Sequence, residues 1–220
     1  MVLASQSPAR LQVLRGAGVE PLVYISGVDE NAVMAGMHEE ASPESIVVAL
    51  AEAKARTVAA AVAAELPDSV VVGCDSMLAH DGLLVGKPGT PDVARQRWIA
   101  MGGGTGELLT GHCVLRVQGG VVGAIASGSA ATTIRFGTPS PAEIEAYLAT
   151  GEPMNVAGGF TLDGYGGWFV DGVDGDPSSV IGISLPLTRR LLIEVGVSVV
   201  DLWTRGSHSD RSSPDRVISG

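Results

Sequence analysis

Within the segment SVVVGCDSMLAHDGLLVGKP, residues 69–88, three side chains can do chemistry: Asp75, Ser76 and Lys87. A carboxylate can take a proton or hold a cation, a hydroxyl can donate or accept, and an ammonium can meet an anion. Asp75 closes a continuous apolar run over 70–74. That run predicts a strand buried on both faces, and a carboxylate at the carboxyl end of such a strand stands where open α/β sheets place their ligands. A tight Asp81-Gly82 turn then leads to Lys87, held between Gly86 and Pro88. The alternative is that Asp75 starts a turn and Lys87 is a solvated loop charge.

Further polar groups accumulate elsewhere. The N-terminal stretch predicts a short strand over 2–4 and a helix from Pro8, with Ser7 as its N-cap. Ser5, Ser7 and Arg10 at that helix start form either an anion site or ordinary capping. A second strand is expected over 21–25, followed by a loop carrying Asp29 and Glu30. Glu30 is there for solvation, or faces the first helix. A long helix opens at Ser42-Pro43-Glu44 and is expected to reach Leu66, where Pro67 stops it. Val47, Leu50, Lys54, Val58 and Ala61 share one of its faces. A lysine on such a stripe snorkels to water or meets an anionic partner. Glu52 points elsewhere, toward Arg56 four residues on.

The remaining elements supply the frame. Thr90-Pro91-Asp92 caps a helix ending at Met101, with Val93, Ala94, Trp98 and Met101 inward. GGGTGE, residues 102–107, lacks the Gly-Lys-Ser/Thr ending of a P-loop and predicts a flexible connector. Strands over 108–118 and 121–136 join through Gly119-Gly120 as a hairpin. Ser140 and Glu143 predict a capping box on a helix that buries Ile144, Tyr147 and Leu148 and ends at Gly151. Residues 157–176 mix glycines with Phe160, Tyr165, Trp168 and Phe169, as short strands and a loop walling a pocket would. Asp171, Asp174 and Asp176 there serve a metal or turn chemistry. Leu185-Pro186 opens a last helix that buries Leu187, Leu191, Leu192 and Val195. From 204 to 220 the composition predicts a disordered polar tail, leaving 1–203 as a single α/β domain.

Bulk properties narrow the function classes. A net charge of -10 over 220 residues argues against a polynucleotide-binding surface, though not against a small polyanion held by local cations and a metal. Cys74 and Cys113 lie in strand-like segments without a CxxC, so neither a disulfide framework nor a structural zinc site is expected. No stretch is long and apolar enough to span a membrane, and no signal peptide is evident. A cytoplasmic protein without membrane association is the expectation.

Several segments, in chain order, resemble one family. They are LASQSPAR, Glu30, Glu52-Ala53-Lys54-Ala55, GCDS with GKP, Thr110-Gly111, VAGGF, and GDPSSVIGISLPL. The set is similar to the Maf-type nucleotide pyrophosphatases, or septum-formation inhibitors, from Val2 to about Val200. That resemblance implies an α/β fold with a long mixed β-sheet flanked by helices and two lobes with a cleft, similar to the inosine triphosphate pyrophosphatases. It implies hydrolysis of a nucleoside triphosphate to the monophosphate and pyrophosphate with a divalent cation, Mg²⁺ or Mn²⁺. It further implies a cytoplasmic and often dimeric protein, tied to nucleotide cleansing and cell-division arrest.

By motif, Asp75 matches the family's proton acceptor. Arg10, Lys54 and Lys87 match phosphate-binding cations, Ser5 and Ser7 match the N-terminal serines, Ser76 follows the acceptor in the same motif, and all six are expected to bind the substrate. Glu30, with Asp75, matches a metal-holding position. Whether Asp75 acts as general base or metal ligand stays open on this basis. The departures are Ala9 for a first arginine, Gly102–Gly106 for a serine-glycine-arginine stretch, Val156 for a lysine, Ser179 for an asparagine, and Asp163 for a glutamine. They leave the Asp75, Lys54 and Lys87 set intact and imply retained hydrolysis with altered base selection. The alternative is a nucleotide-binding regulator of division with weak catalysis.

Overall fold

Among the described residues, five of the seven α-helices start at a hydroxyl or carboxylate followed directly by proline, the pairing that caps a free amide and presets the first helical φ. In the computed structural model, which describes residues 1–204, the elements run as follows. Strand β1 spans Val2–Ala4, α1 Pro8–Gly16, β2 Leu22–Val23, α2 Glu30–Ala35, α3 Pro43–Val62, β3 Ser69–His80 and β4 Leu83–Val85. Then come α4 Pro91–Met101, β5 Thr105–Gln118, β6 Val121–Phe136, α5 Pro141–Ala149, three 3₁₀ turns between 152 and 169, β7 Val170–Asp174, α6 Pro177–Ile181 and α7 Leu185–Glu194. Apart from Thr204, whose N–H donates to the Gly18 carbonyl, the expected tail lies outside the described residues.

The strands form one mixed seven-stranded sheet in the order β2-β1-β3-β5-β6-β7, with β4 added to β3. Pairing of β1 with β2 and β3 is parallel; the other pairings are antiparallel. Helix α3 packs on one face, against Val71, Cys113, Leu115 and Val117. Helices α1 and α7 cover the other, against Leu3, Val70, Val72, Cys74 and Val114. A third cluster joins Leu78, Leu108, Ile134 and Phe136 to α4 and α5, centred on Trp98. The Trp98 ring meets Phe136, Tyr147 and Phe169 edge-on.

Several expectations change. The strand over 70–74 runs on to His80, so Asp75 lies within a strand and not at its end. Continued pairing with β5, Asp75 opposite Gly111 and onward to Ala79, carries the chain past it. Glu30 is the first residue of α2, where the Asp29 carboxylate accepts from Ala32 N–H, and not a loop residue. The second strand shrinks to Leu22–Val23. Helix α3 stops at Val62, short of Leu66, and its buried stripe includes Ala51, Ala55, Ala59 and Val62 while Ala61 is exposed. Val93 likewise faces solvent, on the side of α4 away from Trp98. Thr105 and Gly106 are the start of β5, paired to Arg135 and Ile134, and not a connector. The stretch after 157 holds 3₁₀ turns and a single strand.

Two contributions of the fold matter for the site. On one side of β3, β1 covers Val71, Val72 and Gly73, and β4 covers Leu78, Ala79 and His80. Among the described residues, 74–77 have no strand neighbour on that side. This notch opens at the carboxyl end of β1, beside the start of α1. Secondly, alternation along β3 sends Asp75 to the α3 face and Ser76 to the α1–α7 face.

Candidate active site

Lys54 reaches the notch because α3 lies unusually close to the sheet. A Cβ on Gly73 would stand 2.4 Å from the Ala51 carbonyl oxygen, and one on Gly111 2.1 Å from that of Val47. Those two strand positions therefore admit only glycine. Lys54, on the next turn of α3, then places Nζ 2.5 Å from Asp75 Oδ1 and 2.6 Å from Glu30 Oε1. The Lys54 and Asp75 side chains are largely buried, at 12% and 9% exposure, whereas Glu30 is half exposed at 52%. Lysine on the apolar stripe thus meets anionic partners within its own chain. Burial pushes the Asp75 carboxyl up, the charge and hydrogen bond of Lys54 pull it back, and the outcome lies above the ordinary aspartate range.

The opposite face carries a different network. Arg10 Nε donates to the Gly182 carbonyl at 2.8 Å, Nη1 to Ser5 Oγ at 3.0 Å and Nη2 to Ser76 Oγ at 3.1 Å. Ser76 and Thr110 hydroxyls are 3.0 Å apart, and Thr110 Oγ1 donates to the Ser179 carbonyl at 3.1 Å. With its proton committed there, Thr110 accepts from Ser76, so the chain has one direction: guanidinium to Ser76, Ser76 to Thr110, Thr110 to α6. Two of the five guanidinium N–H groups stay outside these bonds. Ser7 caps α1 through Arg10 N–H, and its own N–H donates to Ser5 Oγ. Capping and the basic cluster therefore coexist.

Behind Thr110 sits His112, fully buried. Its Nε2 accepts from Ser184 N–H at 2.8 Å, which leaves the proton on Nδ1 to donate to the Thr110 carbonyl at 3.0 Å. Burial lowers its pKa to about 4, so it is neutral at neutral pH. Burial also pushes the Cys74 thiol up to about 12 and Cys113 to about 11, and neither thiol is a nucleophile.

The structure thus brings together Ser5, Ser7, Arg10, Glu30, Lys54, Asp75 and Ser76 around the notch, on two faces of the sheet. Lys87 is exposed in the loop after β4 and is not one of their partners. Thr110, Ser179 and Gly182 join the site although only the Thr110-Gly111 and GDPSSVIG motifs pointed at them. The signal available was parity, since Ser76 opposite Thr110 in the register shares its face. Asp174 pairs with Arg135 and Asp176 caps α6, so two of the three late aspartates serve the fold.

A sequence model described as Maf-like protein matches residues 1–195. Among similar curated proteins, the nucleoside triphosphate pyrophosphatase of Saccharopolyspora erythraea is 66% identical over 203 residues, 92% of this chain and 96% of that protein. Proteins of the same name from Nocardia farcinica and Rhodococcus jostii are 61% and 60% identical. Those alignments cover 92% and 95% of this chain, and 96% and 98% of the respective relatives. With that coverage and the notch residues in place, the chain belongs to the Maf-like protein family.

Proposed function

We propose that the chain hydrolyses a nucleoside triphosphate to the monophosphate and pyrophosphate at the notch in β3. One observation carries the reading. A buried carboxylate, Asp75, is flanked by a buried ammonium on its own face and a guanidinium network across the strand. The names of the relatives supply the reaction class.

In this reading Asp75 accepts the proton of a water as that water's oxygen bonds to the α-phosphorus. The bond from the α-phosphorus to the α–β bridging oxygen breaks, and pyrophosphate leaves with the electron pair. Lys54 orients the Asp75 carboxylate and lays positive charge beside the phosphates. The two remaining Arg10 N–H groups face the same anion from the α1 side, and the Lys87 loop supplies a further cation. Ser76 Oγ spends its proton on Thr110, so it holds Arg10 in place and does not donate to phosphate.

Glu30 and Asp75, brought together by one ammonium, are a donor set suited to a hard divalent cation such as Mg²⁺ or Mn²⁺. Such a cation commonly uses one or two carboxylates and completes its shell with phosphate oxygens and water. Among the described residues no group of three or more His, Cys, Asp or Glu offers a self-sufficient cage. Bound there, the cation would supply charge neutralisation at the phosphates. The further expectations rest on the family resemblance alone: a homodimer in the cytoplasm, nucleotide-pool cleansing and an influence on division. Among the described residues, no helix is long and apolar enough to cross a membrane.

The test is a panel of common and modified nucleoside triphosphates with and without Mg²⁺ or Mn²⁺. Equal amounts of pyrophosphate and monophosphate, only with metal, are the expected products. Release of orthophosphate and diphosphate would contradict the reading. Tight binding with no turnover would favour the regulatory alternative.

A further inference from the structure

Away from the notch, one carboxylate is wrapped by the chain more closely than helix capping explains. Glu152, in the turn after α5, accepts at Oε1 from Tyr147 Oη at 3.0 Å, Thr161 Oγ1 at 2.5 Å and Gly166 N–H at 3.1 Å. Its Oε2 accepts from Tyr165 N–H at 3.1 Å. A Cβ on Gly164 would lie 2.3 Å from Oε2, so the loop closes on the carboxylate with no room for a side chain there. Burial raises the Glu152 carboxyl, but these hydrogen bonds outweigh it and hold the group ionised.

The clamped loop, 161–166, is continuous with a turn that packs beside the notch. Gly158 N–H donates to the Gly86 carbonyl at 3.2 Å, next to Lys87. Gly158 also lies against Leu78 of β3, Gly159 against Pro88, and the Gly159 carbonyl accepts from Trp98 Nε1 at 2.9 Å. Residues 158–160 thus join the clamped turn directly to segments that touch both the Lys87 loop and Leu78 of the strand that carries Asp75. The loop itself displays Tyr165, 63% exposed, with a main chain fixed by Glu152. A rigid turn showing an aromatic ring is a surface on which a heterocyclic base can stack.

We propose that Glu152 is a positioning residue for substrate selection, holding the 161–166 turn and the Lys87 loop in the shape that discriminates among nucleobases. This rests on the pyrophosphatase reading for the identity of the ligand. Glu152→Gln is the sharp probe, because it keeps the shape and replaces one acceptor oxygen by an NH₂ group. If that group faces Tyr165 N–H, the clamp loses that bond. If it faces the other way, three donors lose theirs.

Dissociation constants should be measured for α,β-imido purine and pyrimidine nucleoside triphosphates, with kcat and KM for the natural ones. We expect the purine-to-pyrimidine ratio of Kd to move about tenfold, the worth of one hydrogen bond to a charged group. KM should move more than kcat. Tyr147→Phe keeps the ring packing and removes one donor, and should shift the ratio in the same direction by less. It carries the test if Glu152→Gln does not fold. Equal weakening for every base, or unchanged ratios in the folded variants, would overturn the proposal. Because Kd is read on uncleaved analogues, a failure of the hydrolysis reading shows separately as no pyrophosphate from the wild type.

Discussion

Lys54 Nζ stands 2.5 Å from Asp75 Oδ1, in an environment where both side chains are largely removed from water. Such a pair is strongly interdependent, since deleting either partner strands a buried charge, at a cost of about 3–5 kcal/mol in comparable sites. It also sets the protonation of the group we assign as the base. Desolvation alone drives Asp75 toward the neutral acid, and Lys54 is what restrains it.

Lys54→Met should therefore move the acid limb of the kcat/KM profile to higher pH. The sign follows from the causes, because burial stays and the opposing positive charge goes, so the Asp75 pKa rises further. The rate at neutral pH falls with it. Profiles of wild type and variant on the same nucleotide, over roughly pH 5 to 9, make the comparison and cancel the titration of the phosphates. An acid limb that stays in place would show that Asp75 is not the group being titrated.

Gly111→Ala tests how α3 delivers Lys54. The added Cβ would meet the Val47 carbonyl oxygen at 2.1 Å and Val48 N at 2.6 Å, contacts that only a shift of α3 can relieve. Overpacking of this kind costs about 1–3 kcal/mol or more, read by urea unfolding. Helix displacement also pulls Lys54 from Asp75, so kcat should fall further than that of a surface variant of equal stability. Unchanged stability and rate would mean that the close approach does not matter.

His112 predicts a pH dependence of stability unrelated to turnover. Its folded pKa, about 4, lies below the usual value of 6.5. Above pH 6.5 both states are neutral and the contribution is intact. As the pH falls through that value the unfolded chain takes up a proton that the folded one refuses. Stability is lost until about pH 4, by about 3 kcal/mol at ~1.4 kcal/mol per pH unit. His112→Asn should be less stable at pH 7 but show a shallower decline over this window. Parallel unfolding curves for the two proteins would contradict the assignment.

The caps, the Gly119-Gly120 hairpin and the β3 core were legible because local chemistry decides them. Ser7, Ser42, Thr90 and Ser140 each cap a helix for a residue-local reason. Asp75 was legible as a reactive group but not in its place. A strand's end depends on whether a neighbour continues, and here β5 continues to pair beyond it. The division of the site between two sheet faces was implicit in the adjacency of Asp75 and Ser76, yet needed the register to connect Ser76 with Thr110. Glu152 was invisible because its four donors come from residues on either side of a loop whose path no periodicity encodes. Glu30 reaches Lys54 only because α2 forms where composition suggested a loop.

The central claim is that Asp75 takes the proton from the attacking water. Asp75→Asn keeps the shape of the side chain and removes its basicity. With Mg²⁺ and the preferred nucleoside triphosphate, its rate of pyrophosphate release should fall by roughly 10²–10⁴-fold, with nucleotide affinity kept within an order of magnitude. Release at the wild-type rate would contradict the assignment.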